Sequence, residues 1–251
     1  GVGGMGVVFL ARAPGGAVAA VKTVRAAYAE EPGFRARFRR EAQAARQVQS
    51  PWVVPLLDAD AETPWLATSY VPGPSLSETV EVFGPLSVAS VRVLGIRLAE
   101  ALEAVHAAGL VHRDVKPANC FVDTEGRVKV GDFGLSISQE GRGNLQLTSS
   151  GVFLGTPTFA SPEQLRGDEL DARSDQYAVG VTLYYLLTGK VPFEANSMVQ
   201  LVAKVLEKPA PDVRTLRPDV PRELATVIQA SLAKEPGRRY RVRLQLNDCG
   251  A

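Results

Sequence analysis

The chain has 251 residues, of which 45% are hydrophobic and 22% are charged, a composition typical of a globular protein with room for one large domain or two lobes. The formal net charge of +1 gives no support for a nucleic-acid or membrane-surface partner. Two cysteines, Cys120 and Cys249, are too few for a disulfide framework and are typical of a reducing compartment. No apolar run approaches the roughly 18 residues that a membrane span requires, and no signal peptide is evident.

The first 70 residues are predicted to be mainly extended, because β-branched and apolar runs alternate there with turn sequences. The predicted strands cover residues 7–11, 17–24, 53–57 and 65–70. The turn "APGG" joins the first two strands in a hairpin, and the glycines of "GVGGMG" lead into it. A dinucleotide-binding G-x-G-x-x-G segment runs into a helix instead, which excludes that alternative. The glycines remain candidates for a loop that holds phosphate groups, because backbone N–H groups without a Cβ can approach an anion closely.

Helices are predicted between and after these strands. Residues 33–48 have the periodicity of an amphipathic helix. Its apolar positions are Phe34, Phe38, Ala42 and Ala45. The breaking sequence "VPGPS" at residues 71–75 is a predicted linker, and the chain beyond it is predicted to be mainly helical. Residues 87–109 form an amphipathic pattern that ends at a glycine, and residues 175–189 are apolar nearly all round, which indicates a buried helix.

The segment richest in chemistry is "HRDVKPAN" at residues 112–119, followed by the strand-like "CFV" and by "GDFG" at residues 131–134. Around it stand the Gly-rich start, "AAVK", a helix that carries a glutamate, "GTPTFASPE", "DARSDQYAVG" and "EPGRRY". In kind and in order these motifs resemble the catalytic domain of a protein kinase, in the eukaryotic-like serine/threonine class of bacteria. The resemblance covers the chain as far as Tyr240.

The resemblance implies an α+β, two-lobed protein-kinase fold in a single domain over residues 1–251. Residues 1–71 are expected to form a small antiparallel-sheet N-lobe with one helix and the hinge, and residues 72–251 a larger, mainly helical C-lobe. A strand normally precedes the Gly-rich loop in this family, so the sequence is expected to start inside that loop, and residues 1–10 are expected to have low stability.

The family likeness implies ATP as the phosphate donor. The loop over its phosphates is expected to comprise Gly1, Val2, Gly3, Gly4, Met5 and Gly6. The adenine slot is expected to comprise Val8, Ala20, Thr68, Ser69, Tyr70, Val71 and Phe121. Lys22 is expected to contact the α- and β-phosphates and to form an ion pair with Glu41, because a lysine in an apolar cleft needs an anionic partner.

The catalytic residues carried over from the resemblance begin with Asp114, which is expected to orient the substrate hydroxyl and accept its proton. Lys116 is expected to steady the γ-phosphate. Asn119 and Asp132 supply the amide and carboxylate oxygens that Mg²⁺ prefers, with Mn²⁺ as an alternative metal. The two histidines are interpreted as structural: His112 in the catalytic loop and His106 in helix packing.

Regulatory and supporting residues follow from the same likeness. Arg113 is a cation next to the catalytic residue, and its expected anion is a phosphorylated activation loop. That loop spans residues 134–162, with the sequence "LTSSG" as the candidate for self-phosphorylation. Its candidate sites are Thr148 and Ser150, and less favoured Ser149. Thr156 fits serine/threonine specificity. Glu163 is expected to pair with Arg239, and Asp175 is expected to brace the "HRD" backbone. Ser161 stands where the family has alanine, and this difference is expected to be harmless.

The sequence therefore predicts a serine/threonine protein kinase that acts on protein substrates, including its own activation loop through contact with a second kinase copy. A catalytically silent pseudokinase and a small-molecule phosphotransferase are the alternatives. The first is disfavoured by the intact catalytic set, and the second by the peptide-receiving segment "GTPTFASPE". The basic run "RARFRR" is interpreted as a solvated or docking helix face rather than a nucleic-acid site. The kinase domain is expected in the cytoplasm, with the full-length protein compatible with a membrane anchor.

Overall fold

The computed structural model of the chain describes residues 2–3, 6–13, 15–24, 30, 33–132 and 157–239. Within these ranges the chain forms a five-stranded antiparallel sheet in its first part and a mainly helical second part, joined by the segment around residues 70–75. No helix in the described ranges is both long enough and apolar enough to cross a membrane.

The sheet has the strand order β1-β2-β3-β5-β4, and all neighbours are antiparallel. Its strands are β1 (Val2–Gly3), β2 (Gly6–Arg12), β3 (Val18–Val24), β4 (Leu56–Asp60) and β5 (Trp65–Ser69). The predicted hairpin is confirmed as β2–β3. At its open end only glycine fits position 6, because a Cβ added to Gly6 would lie 1.7 Å from the Thr23 carbonyl oxygen.

One predicted strand is misplaced. Residues 53–57 were expected to be extended together, whereas β4 begins at Leu56. Val53 and Val54 are buried and instead join a strand of the second part, with a parallel bridge from Val53 to Val130 and a hydrogen bond from the Val54 N–H to the Val130 carbonyl. The apolar pattern of these two residues therefore reflects contact between the two parts of the molecule, and not a place in the sheet.

Helix α1 (Phe34–Ala45) packs against the sheet, as its periodicity predicts. All four predicted apolar positions are buried, with exposed fractions of 2%, 3%, 6% and 3% for Phe34, Phe38, Ala42 and Ala45. Phe34 and Phe38 form a small apolar core with Ala61 and Leu66 of the sheet region. This contact fixes the helix against the sheet and determines which way Glu41, on the same helix, can point.

The second part contains six α-helices in the described residues and one two-stranded sheet. The helices are α2 (Leu76–Phe83), α3 (Val88–Ala107), α4 (Pro162–Arg166), α5 (Ala172–Thr188), α6 (Met198–Glu207) and α7 (Arg222–Ser231). The strands are β6 (Cys120–Val122) and β7 (Val128–Val130), paired antiparallel. Residues 88–107 and 172–188 confirm the two long predicted helices to within a few residues.

Helix α5 lies in the middle of the larger core, as its apolar sequence predicts. Its residues from Tyr177 to Leu187 are almost all buried, and they pack against α3 and α7. The helix begins at the N-cap Asp171 and ends at Gly189, which has the left-handed φ of 69° that favours glycine. A rigid, buried helix of this kind can hold neighbouring loops in place through polar groups on its first turn.

Candidate active site

The loop at residues 112–119 is anchored in the core by several of its residues. His112 and Val115 are buried, and Pro117 opens a 3₁₀ turn (Pro117–Asn119) in which its fixed φ suits the first position. The Asn119 N–H donates to the Lys116 carbonyl at 2.9 Å and closes that turn. Burial of these residues leaves the side chains of the intervening residues free to face the surface of the loop.

Three of the predicted catalytic residues meet around one carboxylate. The Lys116 Nζ donates to both oxygens of Asp114, at 2.9 and 2.8 Å. The Asn119 Nδ2 donates to the Asp114 carbonyl at 2.8 Å and to its Oδ2 at 2.9 Å. Because both partners of Nδ2 are acceptors, the amide orientation is determined, and the Asn119 Oδ1 points away from Asp114.

The register of the β6–β7 hairpin brings Asp132 to the same place. Cys120 is opposite Val130, so the residues just outside the hairpin, Asn119 and Gly131, also face each other. The Gly131 N–H donates to the Asn119 carbonyl at 2.9 Å. Asp132 follows directly with a left-handed φ of 54°. An amide oxygen and a carboxylate, the oxygen donors that Mg²⁺ prefers, are therefore carried by adjoining ends of one hairpin.

Lys22 joins this group from the sheet. Its Nζ lies 3.4 Å from Asp132 Oδ2, and both side chains are only partly exposed. The structure thus brings together Lys22, Asp114, Asn119 and Asp132, which are up to 110 positions apart in the sequence. With Lys116 on Asp114, two cations, two carboxylates and an amide stand at one place, a set suited to hold a polyphosphate together with a divalent metal ion.

The predicted ion pair between Lys22 and Glu41 is not formed in this structure, which corrects the expectation. Glu41 Oε1 lies 3.2 Å from Arg113 Nη1, and Lys22 has Asp132 as its partner. Burial raises the pKa of Glu41, although the neighbouring guanidinium of Arg113 acts in the opposite direction. Glu41 and Arg113 are both partly buried and of opposite charge, so they satisfy each other when Lys22 is engaged elsewhere.

The proposed adenine residues share one face of the sheet. Val8 is opposite Lys22, and Ala20 is opposite Thr68, in the β2–β3 and β3–β5 registers. Since residues that face each other across antiparallel strands point to the same side, Val8, Ala20 and Thr68 lie on the Lys22 face. The structure therefore gathers them beside the lysine, although their contact with a nucleotide stays a prediction.

The segment after β5 passes directly over β6. A Cβ added to Gly73 would lie 1.8 Å from the Val122 carbonyl oxygen, so only glycine allows this approach. The Val122 N–H donates to the Pro74 carbonyl at 2.9 Å, and Ser75 forms an antiparallel bridge with Phe121. These contacts place Phe121 next to the linker residues; Ser69 ends β5, and Tyr70 and Val71 follow it.

Asp175, on the first turn of α5, braces the catalytic loop as predicted from the family likeness. Its carboxylate is 1% exposed and accepts the backbone N–H groups of His112 and Arg113, each at 2.8 Å. Its Oδ2 also lies 2.7 Å from His106 Nε2. The sequence predicts only a packing role for His106, since nothing in the periodicity of α3 shows which residue faces another helix's carboxylate.

Glu163 and Arg239 form the predicted pair. Arg239 Nη1 and Nη2 lie 2.6 and 2.8 Å from the two Glu163 oxygens, and both side chains are buried. Burial alone would raise the pKa of Glu163, but its hydrogen bonds and ion pair with Arg239 hold that pKa below the ordinary value. Gln164, next in the chain, was not identified from the sequence, yet its Nε2 donates to the Arg113 carbonyl at 2.7 Å.

Several predicted residues lie outside the described ranges, and their expectations stay untested. They are Gly1, Gly4, Met5, Thr148, Ser149, Ser150 and Thr156. Val2 and Gly3 form the short strand β1. Cys120 is fully buried, as expected of a small apolar side chain, and burial raises the pKa of its thiol to about 12, so it is unreactive at neutral pH.

Comparison with known proteins agrees with this geometry. The profile of the protein kinase domain family matches residues 1–248. The chain belongs to the protein kinase family. It is 39% identical to the probable serine/threonine-protein kinase PkwA of Thermomonospora curvata over 95% of this chain and 31% of that protein. It is 44% identical to the serine/threonine-protein kinase AfsK of Streptomyces griseus over 88% of this chain and 27% of that protein.

Solved structures show the same protein kinase fold. The kinase domain of Mycobacterium tuberculosis PknI, in a C20A mutant, superposes with a TM-score of 0.77 at 28% identity, over 99% of this chain and 90% of that one. Rad53 in complex with AMP-PNP superposes with a TM-score of 0.80 at 25% identity, over 98% of this chain and 62% of that one. The chain spans about a third of the length of the curated kinases that it matches.

Proposed function

We propose that this kinase domain transfers the γ-phosphoryl group of ATP to serine and threonine hydroxyls of proteins. The observation that carries the proposal is the Asp114 carboxylate held by Lys116 and Asn119, next to the Lys22–Asp132 pair. The serine/threonine kinases among its relatives, and the AMP-PNP bound to the structurally similar Rad53, support both the hydroxyl substrate and the nucleotide.

The nucleotide would lie on the face of the sheet that carries Lys22. Val8, Ala20 and Thr68 would contact adenine from this face, with Phe121 opposite and the backbone of residues 69–71 as hydrogen-bond partner. The Gly-rich segment 1–6 would cover the phosphates, and Lys22 would contact the α- and β-phosphates. Thr68 is a small residue at the inner end of the slot, so we expect an open back pocket.

Asn119 Oδ1 and Asp132 would hold Mg²⁺, or Mn²⁺, between the catalytic loop and the phosphates. The donor set fits such an ion, because Asn119 uses its Nδ2 on Asp114 and keeps its amide oxygen free to face Asp132. When bound, the metal would neutralise negative charge on the phosphate oxygens. Lys22 would act on the same phosphates from the sheet side.

Asp114 would orient the substrate hydroxyl and take its proton as the oxygen attacks phosphorus. A positioned base of this kind typically contributes about 10²- to 10⁴-fold to the rate. Lys116 is near enough to Asp114 to hold the carboxylate before reaction and to contact the γ-phosphoryl oxygens during transfer. Both roles are electrostatic positioning, which supplies most of the catalysis of phosphoryl transfer.

In the catalytically competent form, we propose that Glu41 leaves Arg113 and pairs with Lys22. Phosphorylation in the segment 134–162, at Thr148 or Ser150, would supply Arg113 with a stronger anion and so release Glu41. Such phosphorylation requires contact with a second copy of the kinase, and Thr156 would contribute to the choice of serine and threonine substrates. We expect the domain to act in the cytoplasm on protein substrates, without nucleic acid.

Transfer of labelled phosphate from ATP tests the proposal. Wild-type protein with Mg²⁺ is expected to label itself and a generic basic protein at serine and threonine. The Asp114→Asn and Lys22→Met variants, each checked for an unchanged circular dichroism spectrum, are expected to lose at least about 100-fold in rate. A folded wild-type chain that binds ATP but labels no polypeptide would support the pseudokinase alternative, and labelling of a small molecule alone would support a small-molecule phosphotransferase.

A further inference from the structure

Gln164 is a buried residue whose amide oxygen and amide nitrogen both form hydrogen bonds. It stands at the third position of helix α4, is 4% exposed, and forms a capping box with Ser161, which is fully buried. Gln164 Oε1 accepts the Ser161 N–H at 2.9 Å, and Ser161 Oγ accepts the Gln164 N–H at 3.3 Å. Because Oε1 is used as an acceptor, the Nε2 donor must point the other way.

That donor meets the catalytic loop. Gln164 Nε2 lies 2.7 Å from the carbonyl oxygen of Arg113. This carbonyl belongs to the peptide group that connects Arg113 to Asp114, and the N–H of the same peptide group lies 3.3 Å from His112 Nδ1. The peptide plane directly before the catalytic carboxylate is therefore held at its oxygen by Gln164 and at its nitrogen by His112.

The backbone at this point needs external support. Arg113 has a φ of 68°, in the left-handed region that is strained for a residue with a Cβ. Asp175 accepts the Arg113 N–H at 2.8 Å and fixes the preceding peptide group. Gln164, together with His112, fixes the following one, from which the Asp114 side chain leaves the loop.

We propose that Gln164 is a positioning residue for phosphoryl transfer, which ties the orientation of Asp114 to the peptide-receiving segment that ends in α4. The inference rests on the proposed kinase function. Ser161, Pro162 and Glu163 belong to that segment, so its placement by a bound substrate would reach the catalytic loop through one hydrogen bond. Glutamate would complete the capping box equally well. Its second oxygen would face the Arg113 carbonyl, and two acceptor oxygens cannot form a hydrogen bond with each other. Of these two residues only glutamine serves both contacts.

The test compares two substitutions at this position with matched changes elsewhere. Gln164→Glu keeps the capping acceptor and removes the donor, and Gln164→Met removes both the donor and the capping acceptor without adding charge. Gln229→Glu is the chemical control, because Gln229 Nε2 also donates to a backbone carbonyl, that of Ala210 at 3.1 Å, on helix α7. Val205→Ala, at a fully buried position of α6, is the control for lost stability.

Steady-state phosphorylation of a peptide is measured well below each melting temperature. Both Gln164 variants are expected to lose about tenfold or more in kcat while KM for ATP changes by less than about twofold. Gln229→Glu and Val205→Ala are expected to keep kcat within about twofold, even where Val205→Ala melts at a lower temperature. Hydrogen exchange at the amides of residues 113 and 114 is expected to accelerate in the Gln164 variants alone.

Two results would overturn the inference. One is a kcat for both Gln164 variants equal to that of the controls. The other is a loss that follows melting temperature across all four variants, with exchange at residues 113 and 114 unchanged. An inactive wild type would defeat the proposed function instead, and the exchange measurement would still test the contact. If Gln164→Glu fails to fold, kcat and the hydrogen exchange of residues 113 and 114 are measured on Gln164→Met alone.

Discussion

His112 shows how a single buried side chain fixes its own proton. The Asp114 N–H donates toward Nδ1, so Nδ1 must carry a lone pair. The proton is then on Nε2, which lies 3.1 Å from the Gly131 carbonyl and donates to it. Burial lowers the pKa of His112 below its ordinary value, in spite of the surrounding carboxylates. The neutral ring thereby connects the catalytic loop to the strand that precedes Asp132.

The pH dependence of stability follows from this pKa. Below about pH 6.5 a histidine of the unfolded chain takes up a proton that folded His112 does not, so the contribution of His112 to the unfolding free energy falls as pH decreases from there toward the folded pKa. NMR of the imidazole signals can measure this directly, because the chain has only two histidines. His112 is expected to remain neutral through pH 6.5, with its signal assigned by comparison with the His106→Gln variant. A His112 signal that titrates at or above pH 6.5 would contradict the lowered pKa of His112.

At the scale of elements, helix α1 presents Glu41 to Arg113, and the pKa of Glu41 is raised by burial. A raised pKa means that the folded environment favours the protonated acid. The contribution of the Glu41 carboxyl to stability therefore decreases as pH rises above the ordinary pKa of glutamate, about 4.3. The ion pair with Arg113 therefore does not make the carboxylate a strong stabilising group at neutral pH. The ion pair orients helix α1 but contributes little to the stability of the fold.

Replacement of Glu41 separates stability from catalysis. At neutral pH the Glu41→Gln variant is expected to unfold with a free energy within about 1 kcal/mol of the wild type, because the amide oxygen of glutamine can still accept from Arg113 Nη1 while the partly buried negative charge is removed. Its phosphotransfer is expected to fall by at least about tenfold, because Lys22 loses the partner proposed for the competent form. Urea denaturation and the peptide assay measure the two quantities. A variant that keeps full activity would remove Glu41 from the catalytic scheme.

The contact between α4 and the turn Pro236–Arg238 depends on one guanidinium. Arg239 places its donors on the Glu163 carboxylate and on the carbonyls of Ala233, Arg173 and Lys234. Lysine has three donors on a single nitrogen and cannot reach all of these acceptors. The arginine is therefore required by geometry as well as by charge.

Arg239→Lys is accordingly expected to lower the unfolding free energy by about 2–4 kcal/mol, since it leaves buried acceptors unpaired. Arg173→Lys is the matched control, because Arg173 pairs with Asp171 at the exposed surface and is expected to change stability by less than about 0.5 kcal/mol. Equal effects of the two substitutions in urea denaturation would show that the buried pair has no special importance.

At the scale of the whole molecule, the sequence predicts which residues are buried or lie at the site better than it predicts which side chains form ion pairs and hydrogen bonds with each other. The periodic apolar positions of α1 and the apolar sequence of α5 predict their burial, and the family likeness of "HRDVKPAN" points to Asp114, Lys116 and Asn119 as site residues, but not to the hydrogen bonds among them. Partner choice among several charges could not be predicted: Lys22, Glu41, Arg113 and Asp132 allow more than one set of ion pairs. The exchanged pairs, the hydrogen bond of His106 and that of Gln164 all depend on how segments far apart in the chain pack together.

Binding of nucleotide and metal is expected to stabilise the whole fold, because ligands that bind only the folded state shift its equilibrium. ATP with Mg²⁺ at about 100 times its dissociation constant adds about 2.7 kcal/mol, or roughly 5–10 °C in melting temperature for a domain of this size. Removal of the metal with a chelator should abolish most of the shift. The Asp132→Asn variant should resemble the chelated wild type, and a full shift in that variant would argue against Asp132 as a metal ligand.

The central claim is that Lys22, Asp114, Asn119 and Asp132 form a single site for ATP and its metal ion. The most direct measurement is a crystal structure with a non-hydrolysable ATP analogue and Mn²⁺, in which anomalous scattering locates the metal. We expect Mn²⁺ bound by Asn119 Oδ1 and Asp132, the phosphates against Lys22, and the γ-phosphoryl group facing Asp114. A metal or nucleotide that is bound elsewhere, with these four side chains making no contact with it, would contradict the account.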